Sequence, residues 1–584
     1  MKRKWLAIGI ILLFVGVTIA PAIAQHTEKS QSASKGTWLY VGGSGPGNYT
    51  RIQDAINDAS NGDTVFVFHG IYILSEFTIS KSISLIGEDK YSTVIDGDGS
   101  NYIMRFGVDF INISGFTLQN VKYSGYTSLI EIGWHIRSNN NIIANNIFND
   151  SRWYAINMNG ADHTVVIDNF VMNCGHYLGI GIYCMAVTGN IISNNTLMGS
   201  SIEVESSTDT NIVNNHVIGS QIYVHHGDNI IVSENIIENG SNMVIEKSED
   251  CIAEYNRLLN SGSFIIRESI NCIVNKNTFN DSYGILIVGN SVNFWDTHTV
   301  ANNKNNGKPI YYYKNKQDKT VPNDASQVIL ASCINFKIQN MSLIKSCGIQ
   351  LAFSSNNFIY NNTIVGSVDS GIKLIDSPNN NISDNTINDN KKCGVASLGL
   401  SGNNTFFHNN IMNNSESGIT ISEGSPNNYF NNNFIQYGGE DGINLGSNFN
   451  NVVNNLITDI GHYGIFCSGS NNKISGNHIA NNIDGLKLYG KLNLVSKNNF
   501  INNDRSVSFY VEYKNVTSNK WIKNYYDDVV IHSFKLIWGR VQTRFGYWGY
   551  DIMNGGYHWY WIKRIGVYFD WFPAQEPYDI PGRC

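Results

Sequence analysis

The sequence predicts an all-β fold, a single-stranded parallel β-helix, and three observations carry that prediction. An asparagine returns in one local setting at Asn195, Asn215, Asn235, Asn256 and Asn277, and again at Asn340, Asn362, Asn385, Asn410, Asn433, Asn455, Asn477 and Asn499. The steps are 20 or 21 residues in the first run and 22 to 25 in the second, the length of one solenoid coil. Each period holds short apolar and β-branched alternations, as in Gly371-Ile372-Lys373-Leu374, Asn381-Ile382 and Thr386-Ile387, divided by Gly, Ser, Asp and Asn. No segment after residue 65 keeps a helical period, so the connections are turns. Such coils bury an apolar face only by stacking, about 4.8 Å apart. The repeated Asn then reads as a structural ladder, its amide bonding the coils above and below.

The elements follow in order. Residues 1–24 read as a signal peptide: Lys2-Arg3-Lys4, an apolar run from Trp5 to Ala20, and Ala22-Ile23-Ala24 before Gln25. An uncleaved N-terminal anchor is the alternative, and both place the rest outside the cytoplasm, secreted or on the cell surface. Residues 25–35 form a linker, and 36–63 an N-terminal cap in which Ile52, Ala55, Ile56 and Ala59 fall at helical spacing. The β-helix is expected over 64–504, with a long insertion at about 290–330 where the asparagine spacing is lost. Tyr311 and Tyr312 in that insertion are candidate ligand-binding residues, although an inserted hairpin packed on the helix side is the stronger expectation. Residues 505–584 are rich in Trp and Tyr and read as an aromatic C-terminal cap, with a carbohydrate-stacking surface as the alternative.

Charged residues make up 15% of the chain and the net charge is −7, with no basic tract, which argues against a nucleic-acid partner. No second apolar stretch of membrane-spanning length follows the first. Nine cysteines contain no Cys-x-x-Cys pair. Cys251 and Cys272 fall in adjacent coils, where buried thiols are favoured over a disulfide because in-register parallel side chains rarely meet the required torsion.

Counting ten residues back from successive ladder asparagines gives Glu205, His225, Glu246 and Arg267, and two residues earlier Glu203, Tyr223, Val244 and Ile265. Both columns are expected to point outward. Glu203, Glu205, His225, Glu246 and Arg267 are the catalytic candidates, Tyr223 a ligand-binding candidate, and Glu205, His225 and Glu246 a candidate set for a divalent metal. Carboxylates on alternate coils lie about 9.6 Å apart and those on one strand about 6.6 Å, the second within the inverting range. The competing reading is an ion-pair ladder on an exposed sheet.

Ile52-Gln53-Asp54-Ala55-Ile56 with Gly62-Asp63-Thr64-Val65, Ser84-Leu85-Ile86-Gly87-Glu88, the Gly-Ile…Asn-Asn coil, Gly307-Lys308-Pro309-Ile310-Tyr311-Tyr312 and Asn524-Tyr525-Tyr526-Asp527-Asp528 together resemble the NosD-type right-handed parallel β-helix proteins, especially exported archaeal ones. The resemblance implies a right-handed, pectin-lyase-like solenoid within a group of carbohydrate-binding and sugar-hydrolase β-helices. It also implies a periplasmic copper-related role, for which the chain has no Met- or His-rich tract. The leading expectation is an exported, non-catalytic rod that binds a polysaccharide or a surface glycoprotein. A polysaccharide lyase, hydrolase or epimerase is the alternative, and the short coils around Asn195 to Asn277 argue against a deep cleft there.

Overall fold

The computed structural model describes residues 36–121, 125, 127–133, 136–175, 179–512, 519–527, 534–551, 556–571 and 573–580. The segment read as a signal peptide and the linker after it lie outside the described residues. Strands of three to six residues repeat three to a coil and pair in parallel with the equivalent strands of the coils before and after. A 12-stranded sheet runs from Trp38–Val41 to Thr299–Ala301 and a 10-stranded sheet from Phe77–Ile79 to Gly284–Val288. Alternation does the sorting: in Ile231–Ser233, Val232 is buried and stacks in register on Ile212 and Ala253.

The bend between two strands of a coil has a recurring construction. A residue in left-handed backbone turns the chain, as at Asn194 (φ 54°), Asn214 (57°), Glu234 (57°) and Tyr255 (58°), and the next residue is the buried ladder asparagine. Asn215 shows its bonds. Its Oδ1 accepts from the backbone N–H and the side-chain amide of Asn195, at 3.0 Å each, while its own Nδ2 donates to Ile192 O at 2.8 Å. The ladder runs from Asn146 to Asn303 through Asn169, Asn195, Asn215, Asn235, Asn256 and Asn277. A second run joins Asn362, Asn385, Asn409, Asn433, Asn455, Asn477, Asn498 and Asn524. The expected members Asn410 and Asn499 are each one residue late, and Met341, after Asn340, occupies the position at the head of that run. A parallel stack of Asn357, Asn380, Asn404, Asn428, Asn450, Asn472, Asn493 and Asn519 lines another bend of the same coils.

Both ends are closed by side chains suited to the purpose. Helix Ile52–Asp58 lays Ile52, Ala55 and Ile56 over the first coil. At the far end Asp570 stands where the next ladder asparagine would be, accepting from Asn524 N and Nδ2 at 2.9 Å. Trp521 and Tyr526 are buried there, Tyr526 stacking on Phe500 at 5.4 Å. An antiparallel hairpin, Phe534–Asp551 with Gly556–Trp571, completes that end.

The solenoid is not continuous. After the coil of Asn303 the chain reverses in an antiparallel hairpin, Lys304–Asn305 with Lys308–Lys314, and a second stack of coils begins at Gln327–Ala331 with its own core. The outer face of that new sheet covers the open end of the first stack. Ile329, Ala331 and Ala352 join the first core, and Gln327 and Gln350 lend their amides to the bare edge of Gly284–Val288. Gln327 Oε1 accepts from Ile285 N at 3.0 Å and Gln350 Oε1 from Ile287 N at 3.2 Å, so an edge that would template further pairing is blunted. Tyr312 is part of this joint: its hydroxyl donates to Trp295 O and its ring packs on the first core. Tyr311 donates to Asp324 at 2.9 Å and stacks on Tyr313.

The eight described cysteines are free and buried, Cys251 and Cys272 included. Among the described residues no helix is long and apolar enough to cross a membrane.

Asn385 is bonded above and below, so Asn385→Ala strands Asn362 N–H and Ile359 O in the interior. It is expected to destabilise the second solenoid by about 2–4 kcal/mol in denaturant unfolding, at about 1–2 kcal/mol per orphaned group. Gln350→Leu leaves Ile287 N–H without its acceptor, and amide exchange at Ile287 should accelerate while Val395–Leu398 keeps its protection.

Candidate functional site

The outer face of the 10-stranded sheet holds the residues singled out in the sequence. Register places Glu205, His225, Glu246 and Arg267 in one column and Glu203, Tyr223, Val244 and Ile265 in the other. The columns extend upstream to Met185, and to Tyr183, Asn157, Glu131 and Arg105. The carboxylates on this face are engaged. Tyr183 donates its hydroxyl to Glu205 at 2.6 Å, and Glu246 takes the Tyr223 hydroxyl and Arg267 Nη1, each at 2.9 Å. Arg105 donates Nε and Nη2 to Glu131 at 2.9 and 2.6 Å. Burial opposes ionisation of Glu246, but the Tyr223 hydroxyl and Arg267 outweigh it and hold its pKa below the usual carboxylate value. Burial raises that of Glu203, whose partner Ser201 lies at 3.0 Å, and pushes Tyr223 up to about 12.

This face is therefore a ladder of satisfied pairs. Glu205 and Glu246 turn to different partners and do not converge on His225, whose ring stacks on Tyr223 at 5.8 Å. Among the described residues no group of three or more His, Cys, Asp and Glu is placed to hold a metal ion. The candidate metal set is thus not brought together.

The second solenoid carries a constellation that the sequence reading missed. Its coils enter the outer sheet through glycines, because a Cβ at Gly442 would lie 2.5 Å from Gly464 O and from Ile457 Cγ2. The residue before the glycine is Cys393, Ser417, Asp441, Tyr463 and Asp484 on successive coils: Gly394, Gly418 and Gly442 donate their N–H to the carbonyls of Ser417, Asp441 and Tyr463, and Tyr463 pairs with Asp484. Two residues after the glycine the column reads Lys373, Ala396, Thr420, Asn444, Phe466 and Lys487, and Ser508 continues it where Ser506 replaces the glycine.

Three buried carboxylates lie along this face. Asp369 is held by Lys373 at 2.6 Å and Lys392 at 3.1 Å; burial opposes its charge, but the two ammonium groups win and lower its pKa. Asp484 takes Arg505 Nε at 2.5 Å and the Ser508 hydroxyl at 3.0 Å. Asp441 differs. Asn444 donates to its Oδ2 at 3.0 Å, but Oδ1 has no hydrogen bond, and His462 Nδ1 stands 3.5 Å from it. Burial pushes Asp441 up to about 6, His462 acting against the rise and Glu440 adding to it. Beyond Asp441 the face turns aromatic. Tyr463 stacks on Phe466 at 5.6 Å, Phe466 meets Tyr489 at 5.4 Å, and Tyr489 meets Tyr510 at 5.3 Å.

Residues 327–435, which lead into this face, match the family model described as a right-handed beta helix region. The solenoid is a right-handed parallel β-helix. No curated protein matches the chain. Among solved structures, the DFA-IIIase of Arthrobacter chlorophenolicus A6 without its lid is similar at 12% identity, over 56% of this chain and 94% of that one, with a TM-score of 0.36. Carrot pectin methylesterase is similar at 11% identity over 48% and 85%, with a TM-score of 0.25. The A-module of the Azotobacter vinelandii mannuronan C-5 epimerase stands at 15% over 61% and 88%, with a TM-score of 0.18.

The Asp441 carboxyl has a testable signature. Its folded-state pKa lies above the unfolded value of 3.8, so protons favour the folded state and the cost of ionisation grows from about pH 4 to about pH 6. Asp441→Asn, with Glu440 and His462 left in place, should be more stable than the parent at pH 7.5 by up to roughly 3 kcal/mol and no more stable at pH 3.5. Unfolding midpoints at the two pH values check this.

Proposed function

We propose that the protein is an exported polysaccharide-binding β-helix that holds a glycan chain along the outer face of its second solenoid. The aromatic ribbon Tyr463–Phe466–Tyr489–Tyr510 carries the reading. It follows the stacking direction of the coils, and Tyr489 at its centre is 42% exposed. Sugar rings present apolar C–H faces that pack on such rings, while their hydroxyls need polar partners alongside. Asn444 and Lys487 flank Phe466 in its own column. On the first solenoid, by contrast, the hydroxyls of Tyr183 and Tyr223 are committed to Glu205 and Glu246. The basic, apolar and small-residue segments at the N-terminus support export and a place outside the cell.

Affinity electrophoresis and calorimetry with xylan, polygalacturonate, alginate and β-1,3-glucan test this. The combined Phe466→Ala and Tyr489→Ala variant should lose at least about tenfold in affinity for the polysaccharide that binds, on the scale of about 1.4 kcal/mol, with its circular dichroism unchanged. Binding that survives this change but falls in Tyr223→Ala would move the site to the first solenoid.

A further inference from the structure

We propose that the second groove also hydrolyses the chain it binds, with Asp441 protonating the glycosidic oxygen and Glu416 activating the water. The inference rests on glycan binding along the aromatic ribbon. Asp369 and Asp484, on the same face, are saturated by Lys373 and Lys392 and by Arg505 and Ser508. Asp441 is 5% exposed, yet its Oδ1 makes no hydrogen bond. A carboxyl buried with an oxygen unused costs folding free energy, and proteins hold such groups where the unused atom has a task. The half-exposed His462 ring stands 3.5 Å from the buried Oδ1, and it is the group a bound sugar would displace.

Glu416 supplies the second carboxylate. It lies in the coil before Asp441, where Glu440 N donates to Glu416 O at 3.4 Å and Gly418 N to Asp441 O at 2.8 Å. Its side chain is half-buried and takes only the weak Cys393 thiol donor, at 3.5 Å, so it remains free to accept a proton from water. The ribbon begins at Tyr463, on the coil after Asp441. A chain lying on those rings and continuing along the solenoid therefore passes over Asp441 and then Glu416. Burial also favours the protonated form of Asp441, the form a general acid requires.

The step balances as a hydrolysis. Water oxygen forms a bond to the anomeric carbon as its proton passes to Glu416, and the glycosidic C–O bond breaks as its oxygen takes the proton of Asp441. Return of a proton from Glu416 to Asp441 through solvent resets the pair.

Release of reducing ends is measured on whichever of xylan, polygalacturonate, alginate or β-1,3-glucan the full chain binds. The parent should release them, and Asp441→Asn and Glu416→Gln should each lose at least about 100-fold in rate. Both variants should keep their affinity for that polysaccharide within about threefold. Glu416 accepts a weak thiol hydrogen bond from Cys393, at 3.5 Å, so Glu416→Gln gives a second test independent of Asp441→Asn. A polysaccharide that is bound without release of reducing ends overturns the hydrolysis and leaves the binding reading standing. Full turnover in both variants also overturns it, and no binding to any of the four removes the binding reading as well.

Discussion

The asparagine amide stacked at each bend is the interaction on which the molecule depends. A coil of about 22 residues has too little apolar surface to fold alone, and a tight bend between strands leaves backbone groups that neither strand can satisfy. The ladder solves both problems, since each Oδ1 takes a backbone N–H of the preceding coil and each Nδ2 a carbonyl inside. The same bonds fix the vertical register. A side chain at a given offset from the ladder therefore meets its counterpart one coil away, and columns of like position become grooves.

What a groove can do depends on whether its polar groups have already found each other. On the first solenoid Tyr183 binds Glu205, and Tyr223 and Arg267 bind Glu246. On the second, Asp369 and Asp484 are likewise consumed, and Asp441 between them is not. The joint between the solenoids obeys the same bookkeeping: glutamine amides, in place of a further strand, finish the edge of Gly284–Val288.

The fold was legible in the sequence because the repeat length is set by backbone geometry and shows itself as spacing. The columns through Glu203 and Glu205 were legible for the same reason, since coils of constant length preserve offsets. At Asn409-Asn410 and Asn498-Asn499 two adjacent asparagines compete for one position, and spacing alone does not choose between them. An inserted hairpin was expected near residues 290–330, and one forms at Lys304–Lys314; that a second stack of coils starts after it was hidden, because the coils on both sides carry the same alternation. Asp441 was missed because the coil length varies from Asn362 onward, which blurs counting from the ladder. A usable signal was present in Asp441-Gly442 and Asp484-Gly485, an acid before the glycine that opens an outer strand. That Asp441 lacks the partners Asp484 has is a three-dimensional fact.

The central claim is that register makes the second solenoid's outer face the working surface of the molecule. A crystal structure of the Glu416→Gln protein with a bound oligosaccharide tests it most directly. Sugar rings over Phe466 and Tyr489, with a glycosidic oxygen within hydrogen-bond distance of Asp441, are the predicted result. An oligosaccharide lying instead over Tyr183 and Tyr223 on the first solenoid would contradict it.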